Sequence, residues 1–310
     1  MGYLGRRIGK SQNTATSADG ADGNLGGGIL DLFEQGYFAR DGKIERTFNP
    51  QGITATGGVI SDYTDPSPGA IYRAHIFTSS GTFNVTALST NPNIPSGVDA
   101  LVVAGGGGGG ADLAGGGGAG GFRTGTNLPV STSPGSYTVT VGAGGDGGDY
   151  NLTRDSEATR GQPGSNSVFS TITSAGGGGG GIYGDGSSSN KDGKPGGSGG
   201  GAGGSGPSDN GTAGSGNTPP SSPSQGNNGG TAGTSPGYGG GGGGGASAVG
   251  GNGGPESVGA GGNGSPNVYA YGPSNPITYA GGGGGGFYNG GTPTTRSSGG
   301  SGGGGSGGTG

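Results

Sequence analysis

The chain offers little to a reaction mechanism. It has one histidine, His75, and no cysteine, so a thiolate metal set cannot form. A lone imidazole on a strand-like stretch has no second nitrogen ligand beside it. The densest polar stretch runs from Asp146 to Arg160 and holds Asp149, Tyr150, Arg154, Asp155, Glu157 and Arg160. Paired carboxylates hydrolyse glycosidic bonds when both are held at a fixed separation. Here they stand in a glycine-bounded stretch that reads as a solvated hairpin tip, with a contact loop as the second reading. Asp146-Gly147-Gly148-Asp149 lacks the ligand spacing of a calcium loop. Gly9-Lys10-Ser11 ends like a phosphate-binding loop, but the required first glycine position is Leu4 and no strand precedes it. The expectation is a protein that is not an enzyme and uses no cofactor or metal.

Contact chemistry is better supplied. Tyr183, Tyr238, Tyr269, Tyr271, Phe287 and Tyr288 stand in or beside stretches that separate runs of glycine, and Tyr150 stands in the polar tip. Tyrosine gives rigid, amphipathic contact area at low entropic cost, and the surrounding Asn, Ser and Gly add adaptable hydrogen bonds. These residues are the binding candidates. The competing reading of any one ring is a cap on the end of packed glycines.

The elements that must hold these rings are unusual. Uninterrupted glycines occupy 105–110, 115–118, 176–181, 239–245, 281–286 and 302–305. Three of these runs follow a short β-prone stretch ending in alanine: Leu101-Val102-Val103-Ala104, Thr171-Ile172-Thr173-Ser174-Ala175 and Pro276-Ile277-Thr278-Tyr279-Ala280. Bulky residues (Phe122, Ile182-Tyr183, Phe287-Tyr288) follow the glycines. A flexible spacer needs neither prefix nor follower.

Polyproline II geometry explains how such runs can pack. It has three residues per turn, a rise of ~3.1 Å and no internal hydrogen bonds, so six residues span ~18 Å. Without Cβ atoms, such rods can lie side by side and bond to several neighbours. Buried backbone groups must be paired, and this arrangement pairs them without an apolar core. Its entropic cost is large, because glycine loses most on ordering. A folded β-region with three strand–alanine handovers supplies an anchor.

Composition narrows the class. Glycine is 95 of 310 residues without an overall Gly-X-Y period, which excludes collagen. Apolar residues are 25%, too few for an ordinary core throughout, while charged residues are only 10% and the net charge is −5. Disorder of the usual kind carries more charge. Arg6, Arg7 and Lys10 form the one basic cluster, so nucleic acid is not an expected partner. No apolar run approaches the ~20 residues of a membrane helix. The opening residues lack the apolar stretch of a signal peptide and the Ser or Thr of a myristoylation site. Without disulfides, assembly in a reducing cytoplasm is expected.

Three regions are expected. Residues 1–65 are the most ordinary in composition, with a short helix at 29–35 and a hairpin over 37–46 turning at Asp41-Gly42. Residues 66–175 read as a small β-sandwich of about six strands. Tyr72, Ala74 and Ile76 alternate, Ser79-Ser80-Gly81 turns, and Phe83, Val85 and Ala87 return. Leu101–Val103 reads as a buried strand, Tyr137, Val139 and Val141 alternate again, and Val168-Phe169 and Ile172 add a last piece. Residues 176–310 read as a polyglycine II bundle, with 182–195, 205–237 and 264–279 as loops. The fold class is therefore all-β: a small sandwich followed by a polyglycine II helix bundle.

Two stretches carry a family resemblance. Ala74-His75-Ile76-Phe77-Thr78-Ser79-Ser80-Gly81-Thr82-Phe83-Asn84-Val85 is followed by Val98-Asp99-Ala100-Leu101-Val102-Val103-Ala104 and the first hexaglycine. Together with 134–145 and 164–169 they resemble the glycine-rich domain of bacteriophage tail fibres and other virion proteins, over about residues 70–181. The later glycine runs look like those of phage tail-tip adhesins with polyglycine II sandwiches. The opening Met1-Gly2-Tyr3-Leu4-Gly5-Arg6 is similar to the starts of tail-fibre-like proteins of marine phages. The resemblance implies a virion component, assembled in the host cytoplasm and expected to be a homo-oligomer. Tyr3, Leu4, Arg6 and Arg7 become candidates for docking to other virion proteins. The loops become candidates for binding a host glycan or outer-membrane protein. A non-receptor decoration, collar or fibre protein with glycine-mediated packing is a second expectation, and an ice-binding protein a third.

Overall fold

The computed structural model describes residues 52–66, 70–149, 159–184, 189–204, 211–235, 237–287 and 297–308. The expected helix at 29–35, the hairpin at 37–46, and Tyr3, Leu4, Arg6, Arg7, Tyr150 and Tyr288 lie outside the described residues.

The protein is all-β. Among the described residues, eleven short strands form several small antiparallel sheets. In order these are β1 (Thr54–Thr56), β2 (Val59–Thr64), β3 (Ile71–Ile76), β4 (Gly81–Ala87), β5 (Gly97–Val103) and β6 (Phe122–Pro129). Then come β7 (Ser136–Thr140), β8 (Ser167–Phe169), β9 (Ile172–Ser174), β10 (Ser265–Asn267) and β11 (Ile277–Tyr279). The largest sheet has the order β1-β4-β7-β8-β9, and β2–β3, β5–β6 and β10–β11 are separate pairs. β5–β6 contacts β8 and β9. Gly125 lets β6 approach the buried Ile172, whose Cδ1 would lie 2.5 Å from a Cβ there. Ser174 Oγ donates to the carbonyl of Val102 at 2.7 Å, tying β9 to β5.

The apolar core is small. Phe83, Val85, Val130 and Val139 are buried, with Phe169 and Tyr137 packed on them. Phe83 meets Phe169 edge-on at 5.9 Å. Alternation predicted Phe83 and Val85 of β4 and Tyr137 and Val139 of β7 as inward residues correctly, but Ala87 at the end of β4 is exposed. It misplaced their partners. The expected pairing of 72–76 with 83–87 across Ser79-Ser80-Gly81 does not form. β3 pairs instead with β2 over six positions, Val59↔Ile76 to Thr64↔Ile71. That register stacks Tyr63 on Tyr72 at 5.5 Å and joins Asp62 to Arg73 by two bonds of 2.8 Å. Ser80 Oγ meanwhile accepts the Val141 N–H at 3.0 Å, binding the turn to the end of β7. In β5 only Val102 is buried, with Leu101 and Val103 half-buried.

Beyond the strands, the glycine segments pack into one backbone-bonded array. Among the described residues, no polyglycine II helix is identifiable as a regular element. What recurs is a three-residue period in the lateral bonds. Gly177 and Gly180 donate to Gly105 and Gly108 at 2.8 and 2.9 Å, while Gly178 and Gly181 donate to Ser198 and Gly201 at 2.9 and 3.0 Å. The segment 196–204 exchanges backbone bonds with 113–119, 176–181, 191–194, 214–217, 227–230 and 241–244. Segments on both sides of residue 176 therefore share the array. Within 176–181, a Cβ at any position would come within 2.1 Å of a neighbouring carbonyl oxygen. Only glycine permits that approach.

The array also takes in chain that reads as loop. Segments 211–216 and 226–233, inside the expected loop 205–237, bond to 191–204 and 239–245. Pro163-Gly164 also lies in such a segment, with the Gly164 N–H donating to Gly177 at 2.9 Å. At the margin of the array, Asx side chains stand in for a missing neighbour. Asp192, Asn228, Asn252 and Asn263 accept the backbone N–H groups of Thr212, Gly216, Thr231 and Ser301 at 2.6, 2.8, 3.0 and 3.1 Å.

Candidate functional site

The connectivity gives the array two unlike ends. The chain leaves the strands at Ala104, Val141 and Ala175 and returns at Phe122 and Ser167, so that end is the β end. The run 105–110 reverses through 111–114, where Gly110 N–H donates to Gly115 at 3.1 Å. The far end is therefore marked by residues 111–114. Tyr183 N–H donates to Asp112 at 3.0 Å, Gly204 N–H to Leu113 at 2.9 Å and Gly286 N–H to Ala114 at 2.7 Å. Ala111 N–H donates to Thr159 at 3.0 Å. Segments that are far apart in sequence thus terminate together.

Three of the predicted binding residues gather there. Tyr183 and Tyr238 meet edge-on, with ring centroids 5.9 Å apart. Phe287 lies on Gly237, where an added Cβ would come 2.7 Å from the ring. All three rings are half-buried. The backbone is unusually bent at this end. Asp112, Leu113 and Tyr238 have φ of 54°, 47° and 49°, a left-handed region costly for non-glycine residues and often found at functional sites. Asp112 puts a carboxylate on the turn itself, and the nearby Lys191, whose carbonyl accepts the Gly203 N–H at 2.8 Å, is buried.

Tyr269 and Tyr271 are not part of that group. They follow β10, beside the β2–β3 hairpin. Gly272, with φ 82°, seats the 268–272 turn against Tyr63, whose ring lies 2.6 Å from where a Cβ would stand. The Tyr63 phenol is pushed above its ordinary 10.0 first by burial, then by the nearby Tyr72, Asp65, Asp99 and Tyr269. Burial and then Asp99 raise Tyr269, and burial and then Tyr271 raise Tyr279. Tyr63, Tyr72 and Tyr279 were not among the sequence candidates. The cross-strand pairing of Tyr63 with Tyr72 is their signal, and it needs β2 to be recognised first.

Of the residues considered for catalysis, His75 and Arg160 have structural partners. His75 Nδ1 lies 2.7 Å from the Gly57 carbonyl and donates to it, and the ring meets Phe83 edge-on at 5.2 Å. Arg160 donates from its guanidinium to the Asp192 carbonyl at 2.6 Å. Residues 150–158 lie outside the described residues. Among the described residues, no group of three His, Asp or Glu side chains could hold a metal, and no helix is long and apolar enough to cross a membrane.

Residues 78–310 match the family described as the glycine-rich domain. The chain belongs to that family. The match takes in β4 to β11 and the whole glycine array but not β1–β3, and it runs well past residue 181, where the resemblance read from the sequence ends. No curated protein and no solved structure matches the chain.

Proposed function

We propose that this glycine-rich-domain protein is a structural component of a tailed-phage virion, a tail fibre or tail-tip adhesin, which binds the host surface through the far end of its glycine array. The observation that carries this reading is the meeting of Tyr183, Tyr238 and Phe287 on bent backbone at the end opposite the strands. Rings on loops, held by a rigid scaffold, are the usual architecture of a binding face. The array fixes the positions of the loop ends, and the loops carry specificity. The resemblance of 74–85, 98–110 and the later glycine runs to tail-fibre domains supports the virion setting. In this reading the segment 1–65 attaches to other virion proteins through Tyr3, Leu4, Arg6 and Arg7. The ligand is a surface glycan or an outer-membrane protein, and no catalytic step is involved.

The test is cell binding. Fluorescently labelled protein is screened against a panel of intact bacteria, and a binding strain is then challenged with Tyr183→Ala/Tyr238→Ala. Buried aromatic anchors are worth about 2 kcal/mol or more at an interface, so affinity falls at least about tenfold, with thermal unfolding little changed. Undiminished binding by the double variant overturns the assignment of the far end.

A further inference from the structure

Seven large apolar side chains remain exposed among the described residues, and four of them stand on the β2–β3 hairpin. Val59 is 67% exposed, Ile60 50%, Ile71 66% and Tyr72 46%. Such a concentration marks an interaction surface rather than the ordinary scatter of surface apolar groups. Its distribution decides the kind of partner. Residues directly opposite in an antiparallel pair share a face. The pairs Val59↔Ile76 and Tyr63↔Tyr72 put Val59 and Tyr72 on one face. The pairs Ile60↔His75 and Thr64↔Ile71 put Ile60 and Ile71 on the other. A partner lying flat on either face leaves the opposite side chains in water.

A partner that extends the sheet serves both faces at once. Among the described residues, β2–β3 is a sheet of two strands with no further strand on either side. Two-stranded hairpins are marginal alone, and an open edge is a template for another strand. The face that carries charge does not oppose a like surface. Asp62 and Arg73 neutralise one another through two 2.8 Å bonds, so a second copy meets no net charge from this pair. A second copy also brings the same open edge and the same two-sided apolar surplus. One two-fold contact then satisfies both molecules.

We infer that β2–β3 is a dimerisation arm: the open edges of two copies pair, forming a four-stranded antiparallel sheet across the two-fold axis. This surface is separate from the far-end rings, so its test stands apart from that of host binding. Analytical ultracentrifugation of the full chain is expected to show a dimer. Ile60→Lys/Ile71→Lys, which places charges on the arm, is expected to sediment at half that mass with an unchanged circular dichroism spectrum. Because the chain has no cysteine, Ser61→Cys and Ala74→Cys, at the strand centres where a two-fold axis brings a residue opposite its own copy, separately report which edge pairs, and one of them is expected to give an interchain disulfide on oxidation. A wild-type monomer at every concentration tested overturns the inference. So does a dimer that survives the double lysine change, or one that neither cysteine cross-links.

Discussion

Replacing Gly179 by alanine tests whether the array is held by backbone contact. A Cβ there would stand 1.8 Å from the Gly161 carbonyl oxygen, where ordinary contact begins at 3.4 Å. The segments 176–181 and 161–164 must then separate by about 1.6 Å, the difference between those two distances. Overpacking of this kind costs about 1–3 kcal/mol. The shift also strains the Gly161→Gly180 and Gly164→Gly177 hydrogen bonds of 3.0 and 2.9 Å, each worth about 0.5–1.5 kcal/mol. Against this stands a gain of about 0.4–1 kcal/mol from a stiffer unfolded chain. The net loss is about 3 kcal/mol, which for a chain of this size lowers Tm by about 6–12 °C. Gly109 is the control. Its Cβ would find nothing nearer than 3.8 Å, and the position is exposed, so Gly109→Ala is expected to be neutral or to raise Tm slightly. Thermal unfolding of the two variants decides the matter. Equal losses, or no loss at Gly179, refute the reasoning.

Two further outcomes follow from particular groups. Gln225 is buried, accepts the Ala175 N–H at 2.8 Å and donates to the Pro219 carbonyl at 2.7 Å; Gln225→Leu leaves that N–H without its acceptor and is expected to cost about 2 kcal/mol in urea unfolding. Tyr63, Tyr269 and Tyr279 have folded pKa values raised above their ordinary 10.0, so the folded state holds protons that the unfolded state releases. Their contribution is complete below pH 10.0 and is lost as pH rises through the raised values; Tyr63→Phe is expected to flatten the alkaline fall of Tm.

Some of this architecture is legible in the residues and some is not, for identifiable reasons. Alternation locates β4 and β7, and the alanine-then-glycine phrase locates the departures at Ala104, Ala175 and Ala280. The pairing of β3 was misread because local turn chemistry at Ser79-Ser80-Gly81 is compatible with a hairpin, while the six-pair match to β2 is visible only in space. The extent of the array was underestimated for a different reason. A segment closed on every side needs glycine at nearly every position, as in 176–181. A marginal segment needs it only on the face turned inward. Gly142, Gly145 and Gly148 face the carbonyls of Ser165, Gln162 and Thr159, with Ala143 and Asp146 between them. Searching for uninterrupted glycine therefore finds the interior and passes over the rim. Ser198 and Ala202, both fully buried, similarly disguise the central segment 196–204. The candidate rings were named from their places beside glycine runs, but their division between two ends follows from how segments run through the array.

Hydrogen exchange of the backbone amides most directly tests the claim that the glycine segments form an ordered, laterally bonded array. Amides that donate within 105–121, 176–181, 196–204, 239–245 and 281–286 are expected to be protected to a degree comparable with β4 and β7. Exchange of these segments at the rate of an unfolded chain, while β4 and β7 stay protected, would contradict it.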